Sequence, residues 1–223
     1  MITVQFLNLA AHIAAGTAGL LAGLLPLMSA KGGQRHRRWG RVFVAFAAPV
    51  MATAALSVWL GHNRGALLAA LTLSASYQLV GGLRALRHQR LDAWDGTLAI
   101  AALALAAWLW ADPASRSGHL PPYLARSALG FVMLLALYDL SRFGWQDAWR
   151  RSVRPFDHGL KMTGVFFAML SAGAGNALPM LQPWSILVPN LLGVAVMLVF
   201  AIQAGRQGNQ MSKRVSLPLA ASR

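Results

Sequence analysis

AKGGQRHRRWGRVF, residues 30–43, holds five cations and a histidine in one short stretch. It separates two apolar runs, 4–28 and 42–61. A bilayer core about 30 Å thick takes about 20 apolar residues per helix, so each run is long enough to cross one. The stretch therefore reads as the first basic connection of a polytopic membrane protein.

The rest of the chain repeats that pattern. Further apolar runs cover 66–83, 94–111, 123–140, 158–177 and 186–204. Alanine and leucine dominate them and no alternation of apolar and polar residues is seen. Backbone groups in lipid must be satisfied within their own segment, which leaves helices. The expected fold is all-α: a polytopic bundle of seven transmembrane helices in a single domain over 1–205, followed by a polar cytoplasmic tail over 206–223. The opening MITVQFLNLA lacks a cationic n-region and leads into a run too long for a signal peptide, so the first run reads as a helix.

Composition supports this class. Hydrophobic residues make up 57% of the 223 residues, charged residues only 12%, and mean hydropathy is +0.50. Soluble domains carry about 25% charged residues. The net charge of +14 would suit nucleic acid, but no basic face interleaved with aromatics is found. The cations instead lie in the connections between apolar runs. If the runs alternate in direction, 17 of the 20 lysines and arginines fall on one side and three, Arg64, Arg116 and Arg126, on the other. Cytoplasmic connections carry the excess of lysine and arginine. The N-terminus is thus expected outside and the C-terminus inside, in a bacterial inner membrane. The eight tryptophans fall near run ends or in connections, where amphipathic rings meet the headgroups. GWQDAWRRSV, 144–153, has the composition of a short interfacial helix.

Ionisable groups inside the hydrocarbon are costly and mark function by default. His12 is the clearest. Its neighbours at three- and four-residue steps are Gln5, Asn8, Gly16, Gly19 and Gly23. That face suits a haem iron ligand with glycines that let a flat ring approach, or close helix packing through a small-residue stripe. Asp139 in YDLSR is expected to pair with Arg142 or Lys161, to snorkel to the interface, or to handle protons. Asp157 precedes His158 and suits a helix N-cap. His36 and His158 match in depth at the basic side and form the better pair of haem ligands. Met162 and Met169 read as packing. Tyr77, Gln78 and Asn176 are polar groups that line a cavity or bond between helices. The chain has no cysteine, and no P-loop, zinc-protease motif or nucleophile elbow. No metal is expected beyond haem iron.

Four stretches resemble a bacterial family of integral membrane proteins, the domain of unknown function 2306. They are HIAAG at His12, KGGQRHRRWGRVF with Lys31, Gly32, Gly33, His36, Arg37, Gly40 and Arg41, YDLSR with Asp139, and HGLKMTGVFFAMLSAGAGNALP with His158, Lys161, Met162, Ser171, Gly175 and Pro179. Asn176 stands where the family has glutamine and Lys161 where it has arginine. The resemblance implies a small helical inner-membrane protein and carries no activity. It also implies a shaped site around His36, for a headgroup, a haem propionate or an acidic partner.

Three functions fit these residues. The first is a redox protein holding haem b or contacting quinone through His12, His36 and His158. The second is a small-solute or proton-coupled permease using His12, Asp139 and Asn176. The third is a non-catalytic accessory subunit bound to a membrane-protein partner.

Overall fold

The computed structural model describes residues 2–60, 65–112, 122–200 and 202. Among them every regular element is helical. The long helices are α1 (Ile2–Met28), α2 (Gln34–Trp59), α3 (Gly65–Arg87), α4 (Ala93–Ala111) and α5 (Pro122–Ser141). A 3₁₀ turn (Arg142–Trp145), the one-turn α6 (Gln146–Ala148) and a π turn (Trp149–Val153) then lead into α7 (Arg154–Ala177). The last helix is α8 (Trp184–Phe200). The tail expected over 206–223, His62, His119 and most of DPASRSGHLPP lie outside the described residues.

Four stretches are long and apolar enough to cross a membrane: Thr3–Met28, Gln34–Trp59, Ala93–Ala111 and Pro122–Ala177, the last running through the turns that join α5 to α7. Their outer faces carry large exposed apolar side chains, among them Leu7, Ile13, Leu21, Leu134 and Leu137. Exposed apolar surface on this scale fits contact with lipid.

α2 begins at Gln34, eight residues before the apolar run that announces it. Hydropathy marks where a helix enters lipid, not where it starts. Gly32 makes the preceding turn at φ 78°, a conformation that favours glycine. After Gly33 nothing breaks a helix, and glutamine and arginine are good helix formers. The cations of the first connection therefore sit mostly on the first two turns of α2. α4 starts with a capping box: the Asp92 carboxylate accepts from Trp94 N at 2.9 Å and Asp95 N at 3.2 Å, and Asp95 Oδ2 accepts from Asp92 N at 3.1 Å.

α3 is the centre of the molecule, packing against α2, α4, α5 and α7. It divides two apolar cores. On one side Leu79 joins Phe43, Ala47, Val50, Val165, Phe166, Phe167 and Met169 from α2 and α7. On the other, Ala70 and Tyr77 join α4 and α5. There Ala99, Ala102 and Ala106 of α4 face Leu129, Val132 and Ala136 of α5, both sets at steps of three and four residues. Small residues on one helix against larger ones on the next allow close approach. Because α3 meets protein on both sides, it carries Ser74, Tyr77 and Gln78 buried, which a lipid-facing helix would not tolerate.

Candidate functional site

The basic end of the bundle holds a buried cluster of four charges. Asp139 is two residues from the end of α5, and Arg142 opens the 3₁₀ turn that follows. Asp157 and Lys161 lie on the first two turns of α7, four residues apart and so on one face. All four are at most 3% exposed. Arg142 Nη1 donates to Asp157 Oδ2 at 2.6 Å, and its Nη2 lies 3.0 Å from Asp139 Oδ1. Lys161 Nζ lies 2.8 Å from Asp139 Oδ1 and 3.1 Å from Asp157 Oδ1. Each cation thus bridges both carboxylates, and the four charges cancel. A buried ion withdrawn from water costs several kcal/mol, about, unless its partners are well placed. Here they are.

Neutral groups complete the cluster. The Tyr77 hydroxyl of α3 donates to Asp139 Oδ2 at 2.6 Å. Trp149 Nε1 donates to Asp157 Oδ2 at 3.2 Å. The Trp149 ring is 1% exposed and lies 5.0 Å from the Arg142 guanidinium. The tryptophan expected at a headgroup surface is thus a wall of the ionic site. The Lys161 stem runs past Gly81 of α3, where an added Cβ would sit 3.4 Å from its Cδ and Cε.

A second cluster lies nearby. Arg84 Nε donates to Asp95 Oδ1 at 2.7 Å, and Nη2 donates to Asp92 Oδ1 at 2.6 Å. Between the two clusters is a gap of about 10 Å³, bordered by Tyr77, Gly81, Arg84, Asp95, Leu98, Asp139 and Arg142. That is about the space of one water probe, among polar groups. Side-chain exposure rises along the series from 4% at Asp139 to 9% at Asp95 and 45% at Asp92. Carboxylates therefore step from the buried centre to the surface.

The histidines fall in two places. His36 Nδ1 donates to Pro26 O at 3.0 Å, and His158 Nδ1 donates to Gly82 O at 2.9 Å. A carbonyl only accepts, so in the neutral ring each Nε2 keeps its lone pair. Toward the opposite end, His12 Nδ1 is 2.9 Å from Thr53 Oγ1, whose own hydrogen serves Pro49 O at 2.7 Å or Val50 O at 3.0 Å. His12 is then the donor. Asn8 Nδ2 donates to Thr53 O at 3.1 Å and Ser57 Oγ at 2.8 Å. These bonds tie α1 to α2.

The glycine face beside His12 is filled by protein at Gly19 and Gly23. A Cβ on Gly19 would meet Met169 Cε at 3.1 Å and Phe46 Cβ at 3.2 Å, and one on Gly23 would meet Phe166 and Phe43 at 2.7 and 2.8 Å. Gly19 and Gly23 thus serve close helix packing, whereas a Cβ on Gly16, one turn from His12, would meet only Val50 Cγ2 at 3.9 Å. Gln78 donates to Ser74 O and Oγ within α3. Asn176 is exposed and donates to Ala172 O in its own helix, away from Asp139. Asp157 does not cap α7, which begins three residues earlier at Arg154; its carboxylate is spent on ion pairs. Among the described residues no group of three or more histidine, cysteine, aspartate or glutamate side chains could hold a metal ion.

No protein-family profile, curated protein or solved structure matches the chain.

Proposed function

We propose that the chain is a seven-span protein of the bacterial inner membrane, with its N-terminus outside and its basic end in the cytoplasm, that couples proton movement to the passage of a small solute. Membership of the domain of unknown function 2306 family, read from the four motifs, belongs to the same proposal. One observation carries the functional reading. Asp139, Asp95 and Asp92 form a graded series of carboxylates from the buried centre to the surface, with a water-sized gap between the first two. Carboxylates inside a membrane bundle are the usual carriers of protons in pumps and transporters.

The neutral balance of the cluster supplies the coupling. A proton arriving at Asp139 removes one negative charge. Arg142 and Lys161 then share Asp157 alone, and the clasp between α5, α7 and Tyr77 of α3 weakens. Loss of the proton restores it. Protonation and helix position are thereby linked at one carboxylate.

Proteoliposomes loaded with a pH-sensitive dye test this under an imposed pH gradient. Proton uptake above that of empty vesicles is expected, lost in Asp139→Asn and retained in His12→Ala. Uptake equal in the unaltered protein and Asp139→Asn would remove the reading.

A redox protein is the second reading, favoured by His36 and His158, whose pinned Nδ1 atoms leave Nε2 free. Imidazoles oriented in this way suit haem iron. A Soret band after haem-replete expression, lost in His158→Ala, would favour it over the carrier, and its absence would count against haem b but leave quinone contact open.

A further inference from the structure

A groove of about 490 Å³ with wholly apolar walls opens between α1, α7 and α8. Its size falls within the range of ligand pockets, about 300–1,000 Å³. Leu20, Leu24 and Leu27 of α1 line one wall, Leu170 of α7 the floor, and Leu192 and Val196 of α8 the other wall. The leucines of α1 are spaced by four and three residues, and the two residues of α8 by four. The groove therefore runs along the helix axes. At the rise of an α-helix, 20 to 27 spans about 10 Å.

One turn beyond Leu27 is Lys31, and one turn beyond Val196 is Phe200. These two meet: Lys31 Nζ lies 4.7 Å from the Phe200 ring centroid. The groove thus ends at an ammonium group. Lys31 Nζ donates to Pro26 O at 3.2 Å and Leu27 O at 2.7 Å, which leaves one of its three hydrogens. Among the described residues it has no carboxylate partner, and neither do Arg35, Arg37, Arg38 or Arg41. Burial draws the Lys31 pKa below the ordinary lysine value, so an anion at the third hydrogen would offset a real penalty.

We propose that this groove holds an acyl chain of an anionic phospholipid whose headgroup phosphate sits on Lys31. The charge selects the occupant. A solely apolar ligand, or a second copy laid against α1 and α8, would leave the Lys31 ammonium at the groove's end without a counter-charge. An anionic headgroup supplies one, and the cytoplasmic leaflet holds such lipids. The proposal rests on the orientation given above, with the basic end in that leaflet.

The test is mass spectrometry of the intact protein. The protein is reconstituted in nanodiscs of equal phosphatidylglycerol and phosphatidylcholine and released into mild detergent. One phosphatidylglycerol should remain bound, with phosphatidylcholine, whose choline cation offsets the charge of its phosphate beside the Lys31 ammonium, at least about tenfold weaker. Lys31→Ala should bring the two lipids to equal retention. Leu24→Trp, at a rim position 43% exposed, should fill the groove and lower retention of both lipids several-fold. Leu137→Trp on α5, 52% exposed, is the control and should change neither. If Leu24→Trp lowers the melting temperature, Leu192→Trp on the opposite wall replaces it. Equal retention of the two lipids by the unaltered protein, indifference to both groove-filling variants, or a dimer mass without lipid would overturn the proposal. Cysteine labelling reports the orientation separately. Correct labelling without lipid retention sinks the groove alone, and reversed labelling with lipid selectivity sinks the orientation alone.

Discussion

Removing one charge from the Asp139, Arg142, Asp157 and Lys161 cluster should cost more than removing two. In Asp139→Asn both cations stay buried with a single carboxylate to share. Leaving a buried charge uncompensated costs about 3–5 kcal/mol, whereas replacing a whole pair by apolar groups of similar size is often neutral. Lys161→Met alone should be comparably destabilising, and Asp139→Asn with Lys161→Met should recover most of the loss. Unfolding of the four proteins in detergent forms a double-mutant cycle. Additive losses would mean that the two side chains act separately. The double variant also separates stability from function, since it should fold and still take up no protons. Part of this cluster is legible from spacing. YDLSR places opposite charges three residues apart and DHGLK four apart, the distances at which side chains meet on a helix. The sequence also offers Lys161 as a partner of Asp139, and the two meet at 2.8 Å; that each cation bridges both carboxylates is not legible. It depends on the 3₁₀ and π turns over 142–153 reversing the chain, and the same turns bring Trp149 inside, where its indole N–H finds Asp157. Composition alone makes Trp149 look like an interfacial ring.

At the level of elements, the glycines divide by what faces them. Gly23 of α1 faces the Phe166 and Phe43 rings at less than 3 Å from an added Cβ, and Gly193 of α8 faces Phe167 equally closely. Buried rings cannot turn aside. Gly23→Ala and Gly193→Ala should each destabilise by about 1–3 kcal/mol, the usual cost of overpacking. Gly40 of α2 has nothing within 4 Å of an added Cβ, so Gly40→Ala should gain about 0.5–1 kcal/mol through the lower entropy of the unfolded chain. Thermal unfolding in detergent reads both signs. A neutral Gly23→Ala would mean that α1 stands farther from α2 and α7 than the rings imply. The sequence shows the stripe Gly16, Gly19, Gly23 but not its partner, so a cofactor ring and a phenylalanine read alike. Only the packing of α7 against α1 and α2 tells them apart. Helix ends differ from the ends of the apolar runs for a related reason: hydropathy reports lipid, and α2 and α7 both begin in polar sequence before their apolar runs.

For the whole molecule, the question is which cations set the orientation. Arg84, Arg142 and Lys161 are bound to aspartates within the protein, so their charge is internally cancelled and cannot be counted toward the positive-inside excess. The excess survives without them, because Lys31, Arg35, Arg37, Arg38, Arg41, Arg87 and Arg151 make no ion pair among the described residues. It is these that should hold the basic end in the cytoplasm. α3, the apolar run at 66–83 with Ser74, Tyr77 and Gln78 buried in it, packs against α2, α4, α5 and α7 and borders both cores. The chain has no cysteine, so each engineered one is unique. Arg38→Cys, Arg87→Cys and Arg151→Cys should resist a membrane-impermeant maleimide on intact cells and react after permeabilisation. Ala111→Cys and Met180→Cys, at the opposite ends of α4 and α7, should react from outside. Labelling of Arg38→Cys and Arg87→Cys from opposite sides would leave one crossing, not two, between them, and the carboxylate series from Asp92 to Asp139 would then not open on the side of the first basic connection.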